Sequence, residues 1–312
     1  MRVVIDMVQF VVLAGTAPLM RGVVAKIKAR IQNRRGASVF RPYVDLWKLF
    51  QKEDLVPPTA SLLFRICPMM LFAATVTAAA FVPALSASAL LGNTGDIILL
   101  VYLLALARFF LVLGAMDGGS SFGGMGASRE AMVSTLAEAP LLLGLIAIAI
   151  VSHATSIAAI VGWTIGQQAF QLSPVHAFAL VALVLVTIAE TGRVPVDNPT
   201  THLELTMIHE AMVLEYSGPS LALIEWASAI KLNLMLALLV ALFAPWGISA
   251  SGSLIGLSVA VVAFVAKMAF LAVALAALES SVAKLRMYLV PEFLGMACAL
   301  SILAVVFTAF KR

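Results

Sequence analysis

Charge is scarce in this chain: Asp, Glu, Lys and Arg together supply 12% of its 312 residues. Soluble domains carry about 25%, so no soluble globular domain has this balance. Cysteine is nearly absent. Cys67 and Cys298 both lie in apolar runs, and two thiols so placed exclude an iron–sulfur cluster or a four-ligand zinc site; they read as small packing residues. The glycine-rich stretch Asp117–Glu130 lacks the G-x-x-x-x-G-K-[ST] pattern of a nucleotide-binding loop. His209-Glu210 is followed by Val213 where a zincin needs its second histidine, which excludes a metalloprotease; His202 and His209 are too far apart to share an ion without further ligands. No internal repeat of the transporter kind is present. The first apolar run lacks an A-x-A cleavage site and ends in Ala17-Pro18-Leu19-Met20, so it reads as a retained helix.

What fills the chain instead is hydrocarbon. Hydrophobic residues make up 62% and mean hydropathy is +1.06. Apolar runs long enough to cross a bilayer lie near 3–20, 62–85, 96–116, 131–152, 174–190, 224–245, 254–280 and 289–310. The expected fold is therefore an all-α integral membrane protein, residues 1–312 forming one polytopic domain of about eight tilted spans. The stretch 156–171 is expected to form a helix along the surface. The connection 21–61 holds nine Lys or Arg, and 117–130 and 191–223 lie on the same side, whereas loops 86–95, 153–173 and 246–253 have none. The net charge of +4 thus reports topology rather than nucleic-acid binding. By the positive-inside rule the 21–61 side faces the cytoplasm and both termini face out. The long cytoplasmic connections read as docking loops for a soluble partner.

Ionised groups in lipid persist chiefly where they pair, line water or move protons. Arg65, Arg108, Glu138, Glu190, Glu225, Lys231 and Glu279 fall in or at the cytoplasmic half of their spans, and Lys267 near the middle of the seventh. The outer half is expected to hold no ionisable residue beyond His153 and His176. This asymmetry implies a polar cavity open to the cytoplasm and closed to the outside, from which protons leave sideways into a neighbouring subunit. Simple pairing that ties helices together, Arg108 with Glu138 for example, is the competing reading.

Two cytoplasmic segments look organised. Residues 25–53 begin basic and continue amphipathic, with Val44, Trp47 and Leu49-Phe50 suited to the lipid interface and Lys48 and Lys52 to anionic headgroups or a docked subunit. Residues 190–216 carry Glu190, Asp197, Glu204, Glu210 and Glu215 against Arg193, and Thr201 with Glu204 forms a T-x-x-E capping box that starts a short helix.

These segments also carry a resemblance. Residues 29–36 (ARIQNRRG), 41–49 (RPYVDLWKL), 126–130 (GASRE), 189–197 (AETGRVPVD) and 215–218 (EYSG) resemble the membrane-subunit family shared by energy-converting hydrogenases and NADH:quinone oxidoreductase, over essentially the full length. Ala37-Ser38 stands where the quinone-reducing members have Pro-Asn, Thr200 and His202 occupy places held by glutamates, and the segment before Glu215-Tyr216 is three residues longer. These departures favour the hydrogenase branch, of the formate hydrogenlyase and hydrogenase-4 kind.

The resemblance implies a heel of tilted helices in a bacterial or archaeal cytoplasmic membrane, joining a redox arm to antiporter-like subunits. The arm would hold hydrogenase-like large and small subunits and iron–sulfur subunits, with nickel–iron and iron–sulfur centres. This chain would bind no cofactor, and quinone is retained only with the alternative of a quinone-chamber subunit in an NADH:quinone oxidoreductase. The candidate proton route is Glu138, Glu190, Asp197, Glu204, Glu215, Glu225, Lys267 and Glu279. The candidate docking surface, or vestigial quinone site, is Arg30, Arg34, Arg35, Arg41, Asp45, Lys48, Arg129 and Arg193. No catalytic or metal-binding residue is assigned. A stand-alone cation transporter is the alternative from another class.

Overall fold

A computed structural model describes residues 2–92, 94–166, 173–197, 207–248 and 254–310. The described residues form α1 (Arg2–Gly15), α2 (Ala17–Ile31), α3 (Arg41–Phe50), α4 (Leu62–Ala79), α5 (Ile97–Asp117), α6 (Ser121–Ser152), α7 (Ile157–Gly166), α8 (Pro174–Glu190), α9 (His209–Val213), α10 (Gly218–Phe243), α11 (Leu254–Ser281) and α12 (Val290–Phe310). Six of these, α4, α5, α6, α10, α11 and α12, are long and apolar enough to cross a membrane, and α1 with α2, bent by 42°, meets the same length and hydropathy only as a pair, giving up to seven spans. Helix α8 is equally apolar but only 17 residues long. Each of the eight apolar runs thus contains a helix. The expected surface helix is present as α7, anchored through buried Ile157, Ile160 and Val161. Glu204 and the Thr201 capping box lie outside the described residues.

Two helices run further than hydropathy indicates. The first span does not stop at residue 20: α2 continues to Ile31 and carries Arg21 and Lys28. The glycine-rich segment 117–130 is mostly not a loop, because α6 starts at Ser121, where Ser120 accepts from the Gly123 amide at 3.1 Å. A hydroxyl N-cap of this kind satisfies an amide that the first turn leaves over. The hydrophobic run marks only where lipid is met, while the hydrogen-bonded ladder continues past it. Gly126 lets α6 approach α9: a Cβ there would come within 3.0 Å of the Ile208 carbonyl and 2.9 Å of Ala211.

The bend at Thr16 follows from Pro18, which has no amide to give to the carbonyl four residues back. The three carbonyls before the break are met by side chains from elsewhere. Asn233 Nδ2 donates to Leu13 at 2.7 Å, Trp226 Nε1 to Ala14 at 3.3 Å and Tyr43 Oη to Gly15 at 2.5 Å. Helices α3 and α10 therefore hold the bend. Gly22, just below it, permits the chain at Val39 to press against α2, since a Cβ would overlap the Val39 carbonyl oxygen.

Helix α10 is the axis of the bundle: 83% of its apolar window is buried, against 39% for α11 and 28% for α12. At the far end from the basic loops, Gln9 ties the connection after α4 to α1. Its Oε1 accepts from the Leu85 and Ser86 amides, both at 3.2 Å. Asp6 accepts from Ser88 Oγ at 2.7 Å and is buried. The outer half is thus not free of carboxylates as expected: Asp6 sits there, and Asp96 accepts from Thr155 at the start of α5. Both are short side chains next to hydroxyl donors that are remote in sequence.

Candidate functional site

Helices α2, α5, α8, α10 and α11, with α9 and the turn after α8, enclose a cavity of about 540 Å³. One wall is apolar, with Leu71, Ala107, Leu111 and Ile224; the remainder mixes charged side chains with small and neutral ones such as Ala25, Thr75 and Ser228. On α2, Arg21 and Lys28 are seven residues apart, two turns of one helical face. Arg21 pairs with Glu225 of α10. Lys28 lies 3.2 Å from Glu279 of α11, whose other oxygen is 3.0 Å from Arg193. Deeper in the cavity, Glu190 at the end of α8 is fully enclosed, 2.5 Å from Arg108 of α5 and 3.0 Å from Lys231 of α10. At the rim Lys284 is 2.8 Å from Asp197, whose second oxygen accepts from the Ile208 and His209 amides at 3.2 and 3.3 Å.

Arg21, Lys28, Arg34, Arg108, Arg193 and Lys231 line the cavity with Glu130, Glu190, Asp197, Glu210 and Glu279. Glu225 and Lys284 join through Arg21 and Asp197, so seven cations meet six carboxylates and one positive charge is in excess. The Lys231 ammonium is close enough to Glu190 to pair by charge, yet Glu190 Oε2 has no well-directed hydrogen bond. Burial pulls the Arg193 guanidinium below its ordinary value, and Glu279 opposes that shift; arginine stays cationic even so. Beyond Lys231, every residue of α10 from Leu232 to Phe243 is buried and Asn233 is the single polar one. Its amide is committed to Leu13 and to Thr16 Oγ1. The cavity thus ends against a dry, close-packed half.

Of the candidate proton-route residues, Glu190, Asp197 and Glu279 line this cavity, and Glu225 adjoins it through its pair with Arg21. Glu138 does not line it; it is half-buried on α6, and Arg108 pairs with Glu190 rather than with Glu138. Glu215 is exposed beside Gly118. Lys267 points toward the far end of α10, where its ammonium donates to the carbonyls of Ala244, at 2.6 Å, and of Trp246, and lies 5.0 Å from the Trp246 ring. A lysine satisfying the last carbonyls of a helix is a C-terminal cap.

Among the docking candidates, Arg30 is exposed in the last turn of α2, and Arg34, which also lines the cavity, and Arg35 are exposed on the turn that follows, which Lys26 pins by donating to the Arg35 carbonyl at 2.8 Å. Arg41 and Asp45 pair with each other on α3 at 2.9 Å, and Lys48 is exposed. Two candidates turn inward instead. Arg129 donates to the Met207 carbonyl at 2.9 Å, and Arg193 lies in the cavity. In sequence both read as outward-facing, because a lone arginine in a connection carries no mark of its partner. Sequence reasoning also misses Arg21 and Lys28 as cavity residues. Their seven-residue spacing is the available signal, hidden by the expectation of a loop.

The sequence profile of the NADH dehydrogenase family matches residues 4–309. Formate hydrogenlyase subunit 4 of Escherichia coli (strain K12) is 33% identical over 306 residues, covering 98% of both chains. Hydrogenase-4 component C of the same organism is 33% identical over 311 residues, covering 98% of this chain and 95% of the relative. A subunit of the NADH-quinone oxidoreductase of Thermomicrobium roseum is 30% identical over 232 residues, 66% of this chain and 67% of the relative. The same fold occurs in a chain of the membrane-bound sulfane sulfur reductase, an archaeal respiratory membrane complex, with a TM-score of 0.82 at 20% identity, covering 98% and 99% of the two chains. On the full-length profile match and the two relatives at one-third identity, this multi-pass membrane protein belongs to the NADH dehydrogenase family.

Proposed function

We propose that this chain is the membrane-anchoring, proton-route subunit of a hydrogenase-type respiratory complex of the formate hydrogenlyase or hydrogenase-4 kind. In this reading the basic face lies in the cytoplasm of a bacterium or archaeon and both termini lie outside. The observation that carries it is the cavity: six cations and five carboxylates lining about 540 Å³, backed by a close-packed apolar half-bundle. Ion pairs in such a place cost desolvation energy that packing with apolar side chains would avoid. A purely structural role gives no reason to keep them.

The chain supplies no redox centre in this proposal; nickel–iron and iron–sulfur chemistry belongs to soluble partners docked on the exposed Arg30, Arg34, Arg35 surface and on α3. A redox change there shifts charge near the rim, where Asp197, Lys284 and Arg193 couple the connections to α11. Exchange of partners among the imbalanced pairs then moves a proton along Glu225, Glu279 and Glu190. With the far half of α10 closed, the proton leaves laterally, into antiporter-like membrane subunits. Glu138, half-buried and outside the cavity, stands on the α6 face where such a handover would occur, while Glu204 and Glu215 belong to the connection nearest the docked arm.

Affinity isolation through a tag on this chain, followed by proton-uptake measurement in proteoliposomes, tests the reading. Hydrogenase-like subunits should copurify, and Glu279→Gln should reduce protons moved per electron without halting electron transfer in detergent. Recovery with NADH-binding subunits and quinone-dependent turnover would instead support the quinone-chamber alternative, which the 30% identical relative and the apolar cavity wall favour.

A further inference from the structure

Among the described residues, three buried side-chain polar atoms have no hydrogen-bond partner: Arg108 Nε, Glu190 Oε2 and His209 Nε2. All three residues line the same cavity. Native proteins pair nearly all buried polar atoms, so an orphan calls for a physical cause; Glu190 Oε2 has the Lys231 ammonium 3.0 Å away, poorly directed, while Arg108 Nε and His209 Nε2 are left over in the same cavity. Arg108 and Glu190 are each more than nine-tenths buried and sit at the deep end. His209 sits at the rim, as the first residue of α9. The donors and acceptors they leave over are what a hydrogen-bonded chain of water would engage.

His209 differs from the other two in what holds it. Its own amide and that of Ile208 are fixed by Asp197, which Lys284 fixes in turn, and the Met207 carbonyl is fixed by Arg129. The backbone is thereby clamped from α6 and from the connection after α11, while the ring nitrogen is left unengaged. An imidazole is also the one side chain whose unperturbed ionisation falls between pH 5 and 8. None of this is visible in the sequence, where His209 suggests a metal ligand and nothing more.

We infer that His209 is the acid–base residue at the mouth of this cavity, passing protons between the basic-side solvent and a water chain that ends at Glu190 and Arg108. This rests on the proton-route reading above and names its entry residue. The ring takes one proton from a water on the solvent side, and its buried Nε2 releases one proton to the next water inside. Only N–H and O–H bonds change, and no electrons are transferred. The charged groups around it are Glu210 on its own helix, Arg129 and Glu130 on α6, Arg108 on α5, Asp197 after α8, Glu225 on α10 and Arg21 on α2. Arg21 pairs with Glu225 and Lys284 with Asp197, so those two carboxylates near the ring already have partners.

The test compares wild type, His209→Gln and His209→Ala within the isolated complex in proteoliposomes, with rates normalised to assembled complex. In His209→Gln, proton uptake should fall by about tenfold or more, with electron transfer in detergent retained, and the uptake rate should depend on pH with one ionisation fewer. In His209→Ala, added imidazole should restore uptake. Wild-type rate and pH profile in His209→Gln, or an uptake loss in His209→Ala that imidazole does not restore, would overturn the inference while leaving the proton-route reading intact. A wild-type complex that moves no protons would sink both.

Discussion

Replacing Glu190 with Gln keeps the shape of the side chain and removes its charge, which isolates the electrostatics of the deepest cluster. Glu190 has 0% side-chain exposure, Arg108 6% and Lys231 14%. With two cations against one anion, the wild-type cluster carries a net charge of +1. Glu190→Gln raises it to +2 with nothing to offset it, whereas Lys231→Met leaves a neutral Arg108–Glu190 pair. Stranding a buried charge costs about 3–5 kcal/mol, so Glu190→Gln should fall at the upper end of that range. Lys231→Met should cost roughly 1 kcal/mol or less, because its ammonium reaches the cavity and its loss restores balance. The double variant returns to +1 and should be more stable than Glu190→Gln alone. Unfolding by graded SDS in mixed micelles can be followed through thiol labelling of Cys67, which is buried, in a Cys298→Ser background. Equal destabilisation by Glu190→Gln and Lys231→Met would refute the charge-balance argument and leave packing as the reason these residues are held.

Two further outcomes follow from local geometry. Gly22→Ala forces a Cβ into the Val39 carbonyl oxygen; relief by backbone movement should cost about 1–3 kcal/mol and accelerate tryptic cleavage after Arg34 and Arg35. Unchanged cleavage and stability would mean the chain at Val39 is not pressed on α2. Tyr216 stacks on Phe64 with ring centroids 4.0 Å apart, and burial pushes its phenol well above the ordinary value of 10.0. Its folded-state ionisation is therefore raised, so its contribution is intact below pH 10. Above that pH the unfolded chain loses a proton that the folded one keeps, and stability should fall by about 1.4 kcal/mol per pH unit. Tyr216→Phe should flatten that alkaline slope, as read from SDS unfolding at pH 10–11.

Hydropathy placed a helix in each of the eight apolar runs, because lipid selects for apolar side chains directly along the chain. The amphipathic pattern of 41–50 was as legible as the apolar runs, since α3 has one wet face and one apolar face. Partners were not legible. The spanning helices are apolar nearly all round, so their sequences do not say which face meets which neighbour. Arg108 therefore seemed as well suited to Glu138, 30 residues away, as to Glu190, 82 away. Only the rotation of α5 and α8 about α10 decides between them. The same applies to Lys267, whose acceptors are carbonyls released where α10 ends, and to Arg193, drawn into the cavity by Glu279 from another helix.

By itself, then, the order of residues determined a multi-pass helical membrane protein, charged on one side, of the NADH dehydrogenase family. Tertiary structure decided that α2 and α6 extend beyond their apolar runs, that three of the eight candidate acids and bases line one cavity, and that His209 lines it with them. The physical reason is range. Solvent preference acts on each residue alone and is written locally, whereas an ion pair or an unpaired nitrogen is defined by atoms brought in from distant parts of the chain.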